Sequence, residues 1–242
     1  MEQNTSIPHP NHYEIDDSLW LNTTELDWSA LTAGLTPKRY RAHQELFHQS
    51  NSSRYVYLCK SGRVQLSIFG SNGNQRILFI SSQNSMFGEL NLFDHMPYSC
   101  TATTVTDCMI YVIPADIFFL RLKEHPELVS NLIKTQSKKN RLLTTAIKQM
   151  SFNDATYRVA YALVNLINDY SQPLKTGSYK LTLKYTHQNI ADLTGLSRVS
   201  VSNIISKFQS MGILKKDSFD GYIIIKDPEK LYSFLDDYKS NQ

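Results

Sequence analysis

The apolar pattern of this 242-residue chain changes character once, at Pro114, and that change restricts its fold more than any other feature. From Tyr40 to Pro114 the apolar residues come in short β-rich runs between polar turns: Tyr55–Cys59, Val64–Phe69, Arg76–Ile80 and Met109–Ile113. Alternation in Val64–Phe69 predicts one buried and one exposed face. Between two runs lies Asn72-Gly73, and because both residue types tolerate positive φ the pair predicts a hairpin turn. Many short strands with regular turns predict a small barrel or jelly roll. After Pro114 the pattern is helical, interrupted near Pro126 and then continuous to about Met150. Strands gathered ahead of helices make the chain α+β.

On the long helix, Val129, Gln136, Leu143 and Met150 are spaced by seven, with Leu132 and Ala146 at the intervening positions. Such a stripe predicts a coiled-coil seam and hence a homodimer, because the neighbouring roll cannot easily cover so long a face. Gln136, Lys139 and Asn140 make its middle polar, and a helix packed on its own domain is the other reading. Phe152-Asn153-Asp154 interrupts the pattern, and Asn153 or Asp154 can cap the next helix, which runs to Tyr170. The expected divisions are therefore an arm and roll over 1–114, a dimerisation helix over 115–152, and a last domain over 153–242. The arm, about 1–36, contains one short helix, and residues 171–180, rich in Ser, Gly, Pro and Lys, read as a loop.

The strongest local signal runs from Thr186 to Ser206. Thr186 can cap a short helix whose buried side is Ile190, Ala191 and Leu193. Gly195 supplies a left-handed turn residue, Leu196 fills the angle between helices, and Ser197 caps a second helix. That second helix turns Val201, Ile204, Ile205 and Phe208 inward and leaves Arg198, Val199, Ser202, Asn203 and Ser206 outward. A helix meant only for solvent would more often carry Glu and Lys there. Lys215-Lys216, a turn at Asp220-Gly221 and the strand Tyr222–Lys226 then make a β-hairpin wing. Winged domains of this kind also serve protein contacts, but the small polar face favours double-stranded DNA. In the major groove, Arg198 suits guanine or a phosphate, Asn203 adenine, and Val199 a thymine methyl. Gln188, Ser200 and Lys207 suit phosphates, and Ser197, Ser202 and Ser206 complete the contact face. With one arginine and no glutamate at the bases, the expected half-site is A·T-biased.

Charge agrees weakly. Residues 1–154 balance, whereas 155–242 carry eleven basic and eight acidic residues, the whole of the net +3. Nothing acidic lies between Asp192 and Asp217, where Arg198, Lys207, Lys215 and Lys216 fall, and this suits a polyanion. No run of about 18 apolar residues exists, and the start MEQNTSIPHPNHYEIDD has neither the basic nor the apolar segment of a signal peptide, so a cytoplasmic protein without a membrane span is expected. Cys59, Cys100 and Cys108 form no CxxC pair and read as buried free thiols, with no bound metal. A redox role for Cys100 or Cys108 is the competing expectation. No Gly-rich phosphate loop, HExxH or GxSxG is present, so an enzyme is not expected.

Further pieces stand in order along the chain. They are Leu46-Phe47, Leu58, Ser61-Gly62-Arg63-Val64, Phe87-Gly88-Glu89-Leu90-Asn91-Leu92-Phe93, Ala102, Thr106-Asp107-Cys108, Ile113-Pro114 and Thr156-Tyr157-Arg158-Val159-Ala160. With the helix pair they resemble the Crp/Fnr regulators over roughly residues 30–235. The resemblance implies a cyclic-nucleotide-binding-like β-roll, a long dimerisation helix and a C-terminal winged helix-turn-helix. It also implies a homodimer on a pseudo-palindromic operator, RNA polymerase as partner, and allosteric control by a small effector.

Where cyclic-AMP-binding members carry Arg-Ser/Thr-Ala, this chain reads Tyr98-Ser99-Cys100. A neutral tyrosine cannot replace a guanidinium over a phosphate, so an effector other than cyclic AMP is expected. By the resemblance, its site would be lined by Gly88, Glu89, Leu90, Tyr98 and Ser99 of the roll and by Lys139, Asn140, Leu143 and Thr144 of the long helix. Lys139 would pair with an acidic effector, and Tyr98 would stack on an aromatic one. A vestigial pocket, with Glu89 merely holding backbone amides, is the alternative. No iron–sulfur cluster is expected, because the first cysteine is Cys59; haem is not expected, because His43, His48 and His95 read as surface residues.

Overall fold

The computed structural model describes residues 19–71 and 73–236, and divides the chain into two compact units, 19–146 and 147–236. The first eighteen residues of the expected arm lie outside the described residues, and so does Asn72 of the expected turn.

The first unit contains β1 (Trp20–Leu21), α1 (Ser29–Thr32), β2 (Lys38–Tyr40), β3 (Glu45–Phe47), β4 (Tyr55–Ser61), β5 (Val64–Phe69), β6 (Gln75–Ser81), β7 (Met86–Phe87), α2 (Leu90–Phe93), β8 (Thr101–Thr104), β9 (Cys108–Pro114), α3 (Ala115–Glu124) and most of α4 (Pro126–Phe152). Two sheets form a roll, one ordered β1-β6-β5-β8-β3 and the other β2-β9-β4-β7. All pairs are antiparallel except β1 with β6. Consecutive side chains of a strand point to opposite faces, and four in a row on β4, Val56 to Cys59, are buried. The strand therefore serves two cores. Tyr57 and Cys59 join Phe47, Leu66, Phe79, Phe87, Tyr98 and Ile110 between the sheets. Val56 and Leu58 join Trp28, Leu31, Met86, Ile113, Phe118, Leu128 and Leu132 beneath α1, α3 and the start of α4.

The alternation expected over Val64–Phe69 breaks midway. A β-bulge between Leu66 and Ser67 shifts the register, so Ser67 is buried and Ile68 and Phe69 are exposed. At Gly62 the backbone is left-handed (φ +95°), and a Cβ there would lie 2.5 Å from both the Asp107 carbonyl oxygen and Cys108 Sγ. Only glycine fits.

The exposed apolar face of α4 differs in phase from the expected stripe. Leu132 is buried in its own unit's second core and is unavailable to a partner. The exposed large apolar side chains are Val129, Ile133, Ile147, Met150 and Phe152, and Leu143 is half-buried. The intervening row thus runs through Ile133, Asn140 and Ile147, not through Leu132 and Ala146, because the roll takes the Leu132 side of the helix.

The second unit contains the end of α4, α5 (Ala155–Tyr170), β10 (Ser171–Pro173), β11 (Tyr179–Leu181), α6 (His187–Thr194), α7 (Arg198–Ser210), β12 (Leu214–Lys216), β13 (Ile223–Ile225) and α8 (Pro228–Asp236). Asp154 caps α5, accepting from the Tyr157 N–H at 2.8 Å. From Val159 to Ile167 every residue of α5 is buried, as befits a helix that is apolar on all sides. The segment expected as a loop over 171–180 instead makes a hairpin of β10 and β11, completing a sheet ordered β10-β11-β13-β12. Its composition hides this. The short strands gain pairing only because β13 offers them an edge.

Candidate functional site

The helix pair folds as local side-chain chemistry dictates. Thr186 accepts from the Asn189 N–H at 3.1 Å, and the Asn189 side chain accepts from the Thr186 N–H at 2.9 Å, closing a capping box. The spacing Thr-x-x-Asn could have signalled it, with asparagine in the place of the usual Glu or Gln. Gly195 ends α6 in the left-handed region (φ 66°), and its N–H donates to the Ala191 carbonyl at 2.8 Å. Arg158 of α5 donates to the Thr194 carbonyl at 3.3 Å, satisfying another terminal acceptor of α6. Ser197 caps α7 by accepting from the Ser200 N–H at 3.0 Å.

Those constraints fix which way α7 faces. Val201, Ile204, Ile205 and Phe208 are buried. Ser197, Arg198, Val199, Asn203, Ser206 and Lys207 are exposed, with Ser200 and Ser202 half-buried. Val199 is 69% exposed, an apolar side chain held out on an otherwise polar face. Gln188 is exposed on α6, and its amide nitrogen donates to Asp192 Oδ1 at 2.7 Å, which leaves its carbonyl oxygen facing outward. Burial holds the Asp192 carboxyl above its ordinary pKa. The wing is completed by Lys180 of β11, whose ammonium bonds Asp217 Oδ2 at 2.8 Å and Asp220 Oδ2 at 2.5 Å. Nothing in the sequence marks that pairing across 37 and 40 residues.

The roll's candidate residues separate into two groups. Gly88, Glu89, Tyr98 and Lys139 are buried or half-buried, whereas Leu90, Ser99, Asn140 and Thr144 are exposed and Leu143 is half-buried. Lys139 does not stand free for an acidic guest. Its ammonium lies 2.5 Å from Glu89 Oε1, with Glu89 1% exposed and Lys139 8%. Gln136 donates to the same oxygen, a contact that the sequence left unread. Glu89 therefore holds α4 rather than the amides of its own turn. Among the described residues, Glu89 Oε2 is buried with no hydrogen-bond partner. Tyr98 stacks on Phe47 with ring centroids 3.9 Å apart, and its hydroxyl donates to the Tyr55 carbonyl at 2.9 Å. The ring expected to meet a ligand is packed in the core between the sheets.

His43, His48 and His95 are exposed. Cys59 and Cys108 are buried free thiols that donate to backbone carbonyls, Cys59 to Ser61 and Gly62 and Cys108 to Arg63 and Thr106. Beside one another the two thiols shift apart, Cys108 below its ordinary range and Cys59 above it. Burial pushes Cys100 up to about 11. Among the described residues no group of His, Cys, Asp and Glu could hold a metal ion, and no helix is long and apolar enough to cross a membrane.

A roll of this kind joined to a winged helix pair defines a transcription regulator with a sensor-type domain. Residues 37–125 match the cyclic nucleotide-binding domain, and residues 157–234 match the Crp-like helix-turn-helix domain. The chain is 26% identical over 203 residues to the CRP-like cAMP-activated global transcriptional regulator of Mycobacterium tuberculosis, covering 84% of this chain and 89% of that protein. It is 26% identical over 176 residues to the cyclic AMP receptor protein of Thermus thermophilus, covering 73% and 78%. The solved structure of the c-di-GMP-responsive global regulator CLP of Xanthomonas campestris superposes with a TM-score of 0.74 at 19% identity, covering 81% of this chain and 96% of that one. The chain belongs to the Crp/Fnr family of transcription regulators, and like its relatives it is a regulator and not an enzyme.

Proposed function

We propose that the protein is a homodimer that reads a pseudo-palindromic, A·T-biased operator with α7 and answers to a small effector other than cyclic AMP. The observation that carries this reading is the outward face of α7: one arginine, one asparagine, a bare valine and serines on a helix capped at Ser197 and buried along Val201, Ile204, Ile205 and Phe208. Arg198, Val199 and Asn203 read bases, with Ser202 and Ser206 beside them, while Gln188, Ser197, Ser200 and Lys207 hold phosphates. Dimerisation runs along Val129, Ile133, Leu143, Ile147 and Met150, with Gln136 and Asn140 setting register. The divisions 1–114, 115–152 and 153–242 serve sensing, pairing and reading, in the cytoplasm, with RNA polymerase as the protein partner.

The effector meets the roll around Gly88, Glu89 and Tyr98, with Leu90 and Ser99 at the rim and Lys139, Asn140, Leu143 and Thr144 on α4. The Glu89–Lys139 pair, which joins roll to helix without a ligand, is the contact that the effector must rearrange. No guanidinium replaces Tyr98, which supports a ligand without a cyclic phosphate. A second reading, a thiol-responsive regulator using Cys100 or Cys108, draws on the grouping of Cys59, Cys100 and Cys108 around the core between the sheets.

Selection of duplexes from random DNA, followed by a salt-titrated gel shift, tests the reading. A specific complex should weaken linearly on log–log axes, by orders of magnitude for about 6–10 phosphate contacts. Guanine dependence at several positions per half-site refutes the A·T bias. Micromolar binding of cyclic AMP by calorimetry refutes the effector assignment.

A further inference from the structure

The wing ends in an aromatic ring that the fold does not use. Phe219 is 95% exposed, more than any other large apolar side chain of the described residues. The turn beneath it is set without the ring. The Phe219 N–H donates to Asp217 Oδ1 at 3.0 Å, the Gly221 N–H to the Asp217 carbonyl at 3.0 Å, and the Asp217 N–H to the Tyr222 carbonyl at 2.7 Å. Gly221 takes the positive φ of +75°. A polar residue at position 219 would leave each of these bonds intact.

The charges around the tip favour a polyanion. Two carboxylates beside the reading helix would repel phosphate, yet Asp217 and Asp220 are both turned onto Lys180. Lys180 and the Phe219 N–H hold the Asp217 carboxyl below its ordinary range, so the clamp is ionic at neutral pH. Lys215, Lys216 and Lys184 are exposed, and Lys184 lies over the Tyr222 ring at 5.5 Å. The tip therefore carries an excess of positive charge around one projecting ring.

Resting on the reading of α7 as the major-groove helix, we propose that Phe219 is an apolar wedge that the wing sets against the minor groove flanking each half-site. Four residues separate Leu214, buried at the base of β12, from Phe219 in the turn, and two of them, Lys215 and Lys216, are exposed. The ring thus leads a basic hairpin, which suits the narrow, phosphate-walled minor groove beside the major groove that α7 enters. Phenylalanine in a minor groove partly unstacks a base step, and flexible pyrimidine–purine steps yield most readily. The wing thus adds sequence preference outside the bases that α7 touches.

The test uses the full-length protein and a selected operator in two duplexes, one with ten flanking base pairs on each side and one trimmed at the half-sites. Phe219→Trp should show emission quenched by the flanked duplex and unchanged by the trimmed one. Phe219→Ala should bind the flanked duplex about tenfold more weakly, as for loss of an aromatic–base contact, and bind the trimmed duplex as the parent does. Unquenched Phe219→Trp at saturation, or parental affinity of Phe219→Ala for flanked DNA, overturns the proposal. So does a Phe219→Ala protein that binds both duplexes normally but no longer retains RNA polymerase, since the tip would then be a protein dock. If the parent binds neither duplex, the reading of α7 fails as well, a result distinct from a silent Phe219.

Discussion

The reading face of α7 and the Glu89 site of the roll solve opposite problems. On α7 the polar groups point outward and the scaffold behind them is complete, so the face can meet a partner without any internal bond breaking. In the roll, Lys139 and Gln136 both close on Glu89 Oε1 and Tyr98 is tied to Tyr55 and Phe47, so a guest there would displace an internal contact. The first site is specified by which groups are left over. The second is specified by which groups are taken.

Breaking the closed site should produce the largest effect. Lys139→Met leaves the Glu89 carboxylate buried against Gln136 alone, and should cost the roll ~3–5 kcal/mol in urea unfolding. Adding Glu89→Gln should restore most of that loss, because a neutral pair needs no counter-charge. A single variant that loses under about 1 kcal/mol would contradict the closed site. The open site should behave in the reverse manner. Arg198→Ala should cost ~1–3 kcal/mol of operator binding by gel shift while leaving the unfolding midpoint where it was. The scaffold behind that face is next: Ser197→Ala should lower stability by ~1 kcal/mol, read by thermal melting, through loss of the α7 cap.

The smallest effect sharpens the boundary between the two kinds of site. Burial raises the Asp192 carboxyl above its ordinary 3.8. A raised folded-state value favours the fold fully below 3.8, and that advantage is lost as pH rises through the raised value. Asp192→Asn keeps an acceptor for Gln188, so melts recorded between pH 3 and pH 7 should show a flatter dependence than the parent. An unchanged profile would mean that Asp192 titrates as if exposed.

What could be read in advance follows the range of each interaction. Thr186, Gly195, Ser197 and Asp154 act on backbone groups within four residues, and each does what its residue type and position predict. The inward and outward faces of α7 follow from helical period alone. Glu89 finds Gln136 and Lys139 at separations of 47 and 50 residues, and no local pattern encodes that meeting. On α4, whether Leu132 or Ile133 stays exposed depends on which side the roll covers, which seven-residue spacing does not encode. Strands β10 and β11 were hidden by a loop-like composition, since three residues pair as readily as the neighbouring edge allows.

The buried Glu89–Lys139 bond gives the roll a tethered competitor. Any free acid seeking the ammonium contends with a carboxylate already attached to the same molecule, whose effective concentration exceeds that of an ordinary metabolite. Apparent affinity is then the intrinsic affinity reduced by the small fraction of molecules in which the internal bond is open. On the proposed reading, selectivity here is a threshold: common cellular acids at ordinary levels would leave the pair shut, and an effector would have to make several contacts at once to open it.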